Sequence, residues 1–164
     1  MKREDVLSSL ARECKRLLDA VDALGPRAET VWVTERDGWT AKDVLGHLIH
    51  YNGQIAFALG AQDGSGPPAY VLGVTQRLPG EEWNRRAVEF YRGWTLADVR
   101  ESFERNNEMI AKRVALLSDD DLLATDRVPW PGEHRPLWQF IGHDTFLVEW
   151  PAHAAQIEAA TERA

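Results

Sequence analysis

The sequence predicts an all-α protein, a four-helix bundle with a long crossover between its second and third helices. Three observations carry that expectation. Four long segments repeat apolar residues at three- and four-residue steps. No segment shows the alternation of a half-buried strand. The stretch from Gly60 to Trp94 is too long for a hairpin link, so the helices on either side of it are not simple antiparallel neighbours.

The first helix is expected from about Arg3 to Leu24, where Leu7, Leu10, Cys14, Leu17, Val21 and Leu24 form one stripe. Gly25-Pro26 ends it, because glycine tolerates the left-handed turn and proline lacks the donor to continue. The second begins at Thr40, where Thr40 and Asp43 make a capping-box variant with Asp in place of Glu. Val44, Leu48, Tyr51, Ile55 and Leu59 follow on one face. The third repeats that cap with Thr95 and Asp98 and carries Val99, Phe103, Asn106, Ile110, Val114 and Leu117 before Ser118-Asp119-Asp120-Asp121 stops it. The fourth runs from about Pro136 to Thr161, is apolar round more than half its circumference, and is expected to be the most buried. Within the crossover, turn chemistry from Asp63 to Pro68 precedes a short helix near Glu81 to Tyr91. No repeat or low-complexity tract divides the chain, so residues 1–164 are read as one domain.

Composition narrows the function classes. With 44% hydrophobic and 27% charged residues the chain is an ordinary globular one. A net charge of -7 disfavours nucleic acid and anionic membranes as partners, since both require basic surface. No apolar run reaches spanning length, and Met1-Lys2-Arg3-Glu4-Asp5 leads into no signal peptide. The single cysteine, Cys14, excludes an internal disulfide, fits a reducing compartment, and lies in the apolar register of the first helix as a buried hydrophobe. The protein is therefore expected in the cytoplasm. Helix four is too apolar for one side of a lone bundle, which suggests a homodimer. Seven tryptophans are many for this length, and Trp39, Trp138 or Trp150 could shape a pocket.

Helical phase sorts the histidines. His47 falls about 80° from the centre of the second helix's stripe and borders the core, whereas His50, about 140° away, is expected in solvent. Glu149 and His153, four residues apart, stack on the inner face of helix four with Trp138, Thr145, Gln156 and Ala160. A carboxylate there is costly unless something positive meets it. The pair can aim an oxygen and a nitrogen at one metal ion, with a third ligand from another helix and a fourth position open. It can equally be a helix-surface hydrogen bond, and His47 a core-edge residue bonded to a carbonyl. His134 and His143 lie in a loop or off the stripe. Pro151, between Glu149 and His153, removes a donor and clashes with the Leu147 carbonyl, so a kink is expected there.

Two stretches, GWTAKDVLGHLIHYN at Gly38–Asn52 and HDTFLVEWPAHAAQIEA at His143–Ala159, together with LSDDDL after helix three, resemble the DinB-like superfamily, near the N-terminal domain of mycothiol-dependent maleylpyruvate isomerases. The resemblance spans early, middle and late parts of the chain. It implies a four-helix bundle running up-down-down-up with a three-ligand metal site. Many members have three histidines, two of them as H-x-x-x-H on the last helix. Here Glu149 stands in the first of those places, similar to the His, Glu, His set of the mycothiol-dependent isomerases, and by that match His47, Glu149 and His153 are the ligands. The isomerases carry a second domain for which these 164 residues leave no room. The segment EEWNRRAVEFYRGW also resembles small self-protection proteins that disarm reactive cyclopropane-bearing metabolites.

The expected function is that of a metal-dependent enzyme activating a low-molecular-weight thiol or water for a small-molecule substrate, as a thiol S-transferase or isomerase-like protein. Zn²⁺ is the first choice of metal, with Ni²⁺ or Fe²⁺ suited to the same ligands, and mycothiol or bacillithiol is the implied co-substrate. The alternatives are a small-molecule binding or self-protection module without metal-dependent turnover, and a bundle with a purely structural metal.

Overall fold

The computed structural model describes residues 1–34, 38–63, 80–128 and 132–163, without the side chains of 61–63 and 80. Its long helices are α1 (Arg3–Leu24), α2 (Ala41–Asp63), the crossover helix α3 (Gly80–Tyr91) and α4 (Leu96–Val114). After a short α5 (Asp119–Leu123), the fourth bundle helix is built from α6 (Leu137–Gly142), a π turn (His143–Leu147) and α7 (Glu149–Glu162). Among the described residues the only β pairing is an isolated bridge between Trp32 and Thr40. The expected turns at 64–68 lie outside the described residues.

Local chemistry explains the boundaries. Gly25, at φ 55°, ends α1 and leads into a 3-10 turn, Gly25–Glu29. At α2 the Asp43 N–H donates to Thr40 Oγ1 (3.2 Å) while the Thr40 N–H donates to Asp43 Oδ2 (3.0 Å), a reciprocal cap. Thr95 caps α4 through the Asp98 N–H at 3.1 Å. Ser118, expected only to stop helix three, in fact caps a new helix, because its hydroxyl accepts from the Asp121 N–H at 3.1 Å.

Polar ties at the helix ends fix the directions. The Arg3 N–H donates to Asp119 Oδ1 (2.7 Å) beyond the end of α4, and Asp22 near the end of α1 pairs with Arg100 near the start of α4. These helices are therefore antiparallel. Lys42 in the first turn of α2 donates to the Trp94 carbonyl (3.1 Å) just before α4, so α2 and α4 start together and run parallel. The Leu137 N–H donates to the Ala124 carbonyl (3.1 Å), which sets the fourth helix back along the direction of α1. The result is up-down-down-up, the arrangement for which a long crossover is required. In cross-section α1 packs on α7 and α4, and α2 on α4, around a core that includes Leu10, Leu17, Leu48, Ile55, Phe103, Ile110, Ile141 and Trp150. No helix among the described residues is long and apolar enough to cross a membrane.

The crossover helix α3 is seated on α2 at Gly46. A Cβ there would stand 2.9 Å from Tyr91 Cδ2 and 3.0 Å from its Cβ, too near the backbone to yield easily. Gly46→Ala gains helix propensity but overpacks this contact, so a net loss of about 1–3 kcal/mol is expected. Urea unfolding measures it. An unchanged midpoint would mean that α3 shifts freely on α2.

A candidate metal centre

Helix α2 delivers His47 from its second turn, and the start of α7 delivers Glu149 and, one turn later, His153. Glu149 Oε2 lies 3.5 Å from His47 Nε2 and 3.6 Å from His153 Nε2. One ligand atom from each of the three residues falls within 4.8 Å of the others. The two imidazoles stand nearly edge-on, with ring centres 5.2 Å apart and planes at 77°. His47 is 3% and His153 9% exposed, so both rings are held inside the bundle.

The surroundings orient these groups. His153 Nδ1 is 2.8 Å from Gln156 Oε1, which can only accept, so Nδ1 donates and Nε2 is left for the centre. Trp39 packs on the His47 ring at 4.9 Å, and Tyr51, one turn along α2, meets its other side at 4.8 Å. The Tyr51 hydroxyl donates to Asn84 Oδ1 of α3 at 3.2 Å. Burial, then the charges of Glu149 and Asp144, push the Tyr51 phenol up to about 12, so it keeps its proton. Hydrogen bonds from His153 first and His47 second hold the Glu149 carboxyl well below its ordinary range. Without a metal, that depression stabilises the fold above the ordinary carboxylate value of 4.5, and the stabilisation is lost as pH falls below it.

Two imidazole nitrogens and one carboxylate oxygen, oriented by neighbours and inside a bundle, fit a divalent cation that keeps a fourth position for an exchangeable ligand. The residues picked out in the sequence do meet. Trp39 meets them too. Trp150, by contrast, is a core residue, fully buried and edge-on to Phe103 at 5.4 Å, and shapes no pocket. His50 is not in solvent: α3 lays Trp83 against its ring at 3.9 Å, and burial pushes its value down to about 4. The phase of α2 alone could not include a helix from the crossover. Gln156 and Tyr51 were recognisable as i,i+3 and i,i+4 neighbours of the histidines. Asn84 left no such signal. Cys14 is buried with its thiol pushed up to about 12, chiefly by burial, and is inert.

Beside the centre lies a cleft of about 590 Å³, with Trp39 as a shared wall and Asn84 on its far side. None of the three converging residues lines it.

The DinB superfamily model matches residues 9–144. The chain belongs to the DinB superfamily. The match includes His47 and stops short of Glu149 and His153. No curated protein sequence matches the chain. Among solved structures, an uncharacterised protein of Escherichia coli UTI89 is similar with TM-score 0.79 at 11% identity, over 99% of this chain and 94% of that one. A protein described as Sibling Lethal Factor Precursor - DfsB gives 0.78 at 14% identity, over 99% and 96%. A Streptococcus pneumoniae protein gives 0.75 at 12%, over 99% and 91%. At these identities the likeness is one of fold.

The expected kink in the fourth helix is a full break, and it lies before Pro151. Thr145 has non-helical torsions (φ -133°, ψ -111°), and Val148 (φ -129°, ψ -64°) caps a new helix. Pro151 therefore stands in the first turn of α7, where a missing N–H leaves no helical bond unmade. Glu149 and His153 stay within one regular helix, and the phases before the break no longer apply to them. Leu147 and Val148 at the break are 45% and 44% exposed, so this helix is not buried along its whole length. Pro151→Ala should change stability by less than about 1 kcal/mol, whereas a proline in a helix interior costs about 3 kcal/mol. A large gain on thermal unfolding would return the proline to a helix interior.

Proposed function

We propose that the protein is a metal-dependent enzyme in which His47, Glu149 and His153 hold one divalent cation, Zn²⁺ in the first instance, and act on a low-molecular-weight thiol and its electrophilic partner. The observation that carries this reading is the convergence of three ligand atoms within 4.8 Å. A cation held there supplies the positive charge that lets a thiol or water ionise near neutral pH. The chain's own residues do the rest. Gln156 keeps His153 in the tautomer that presents Nε2, Trp39 and Tyr51 fix the His47 ring and keep water from it, and Glu149 contributes the one negative charge. A bacterial thiol such as mycothiol or bacillithiol is the proposed co-substrate, by family resemblance.

Glu149→Gln keeps size and helix propensity but removes the anionic donor. Metal affinity, read by calorimetry or competition with a chelating dye, should fall by about 100-fold or more, and His47→Ala should do the same from the other helix. Because Glu149 also faces the two histidines at 3.5 Å and 3.6 Å, the metal-free variant can itself change in stability, so the decisive number is the metal-dependent rise in Tm. Full occupancy in both variants would place the metal elsewhere.

The second reading is a small-molecule binding or self-protection module without metal-dependent turnover. It is favoured by the cleft, whose walls exclude all three proposed ligands. Protein loaded with Zn²⁺ or Ni²⁺ and mixed with a bacterial thiol and a soft electrophile should form conjugate faster than chelated protein. Equal rates would leave the binding-module reading in place of the enzyme.

A further inference from the structure

The cleft between α3 and the start of α2 is large enough for a small ligand, within the range of about 300–1,000 Å³ seen for such sites. Its apolar walls are the Trp39 indole and Val88, and its polar walls are side chains of α2, α3 and the α3–α4 turn. Most of its charges are committed. Asp43 holds the cap of α2 through the Thr40 N–H (3.0 Å) and hydroxyl (2.8 Å). Arg85 is paired with Glu82 (2.9 Å) and Glu89 (3.0 Å), and Glu81 also has an interaction of its own. Arg92 differs. Its side chain is exposed, and among the described residues its guanidinium has no ion-pair partner. Its backbone is nonetheless fixed, since Lys42 Nζ donates to the Arg92 carbonyl at 3.3 Å.

We propose that this cleft binds the acidic end of the substrate, a carboxylate on Arg92 with an apolar or aromatic body against Trp39. A guanidinium is a planar fork of donors matched to a carboxylate, and Trp39 and Val88 supply the apolar face. Asn84 adds a second donor, because its Oδ1 is taken by the Tyr51 hydroxyl and its amide nitrogen is left to give. Trp39 and Asn84 join the cleft to the three-residue centre, since Trp39 packs on His47 and Asn84 accepts from Tyr51, whose ring also packs on His47. The inference names the substrate class of the proposed enzyme and rests on that reading only for where the reacting end of the substrate lies. The anchor itself is independent of metal.

The probes are 4-fluorobenzoate and its neutral analogue 4-fluorobenzamide, titrated against the full chain by fluorine NMR with and without chelator. The benzoate should bind about tenfold tighter, the worth of one charge-assisted pair. Arg92→Gln should erase that preference, and Arg85→Gln, whose guanidinium is already paired, should keep it. Circular dichroism verifies that both variants are folded. Benzoate binding that survives chelation but is lost in Arg92→Gln supports the cleft even if no metal binds at the three-residue centre. Binding lost on chelation and indifferent to Arg92→Gln would make the carboxylate a metal ligand and overturn the cleft, leaving the metal reading intact. Equal affinity for both probes, or no benzoate binding at millimolar concentration, overturns it as well.

Discussion

One carboxylate oxygen of Glu149 lies within 3.5 Å and 3.6 Å of two buried imidazole nitrogens on different helices, and much of the fold's irregularity serves that meeting. A charge inside a bundle is expensive unless met by opposite charge and hydrogen bonds. Here both imidazoles face the carboxylate at those distances, an arrangement suited to a cation between them. The arrangement needs Glu149 and His153 one regular turn apart on a helix facing α2. A continuous fourth helix with Pro151 in its interior would disturb that turn. The π turn at His143–Leu147 and the break at Val148 end one helix and start another, so the proline falls where its missing donor does no harm.

The same break explains the limits of reading this chain from its sequence. The periodicities of α1, α2 and α4, the two threonine caps and the crossover helix were all legible, because each depends on residues close in sequence, whereas Ser118 was read as a stop and not as the cap it is. The pairing of Glu149 with His153 was legible for the same reason. The partner from α2 was visible only as a histidine at the edge of a stripe, and family resemblance was needed to choose it. What failed was everything set by tertiary contact. His50 is covered by Trp83 from the crossover, and Trp150 is drawn into the core against Phe103. The fourth helix was read as one element kinked at Pro151, since periodicity alone does not register the π turn that breaks it earlier.

The crossover does more than connect parallel helices. Tyr91 fills the notch over Gly46, one residue from His47, and Asn84 holds the hydroxyl of Tyr51, one turn beyond it. A displacement of α3 would therefore reach the His47 ring through two contacts. Asn84 also lines the cleft, so the cleft and the His47 ring share a neighbour in α3. Such coupling needs no long path, since only one side chain separates the two places.

Charge makes the final argument. An acidic chain with net charge -7 repels anions over most of its surface. In the proposed enzyme two neutral imidazoles, one carboxylate and a divalent cation would sum to a net positive centre. Beside it Arg92 carries a positive charge with no partner among the described residues. Asp144 opposes this; burial raises its carboxyl above the ordinary value, and it is hydrogen-bonded to His143 at 2.8 Å. In the adjoining cleft the charges of Asp43 and Glu81 are balanced by those of Arg85 and Arg92, and Arg92 is the one of its two guanidinium groups that no described residue pairs with. On the proposed reading a thiolate would meet the cation and a carboxylate would meet the Arg92 guanidinium.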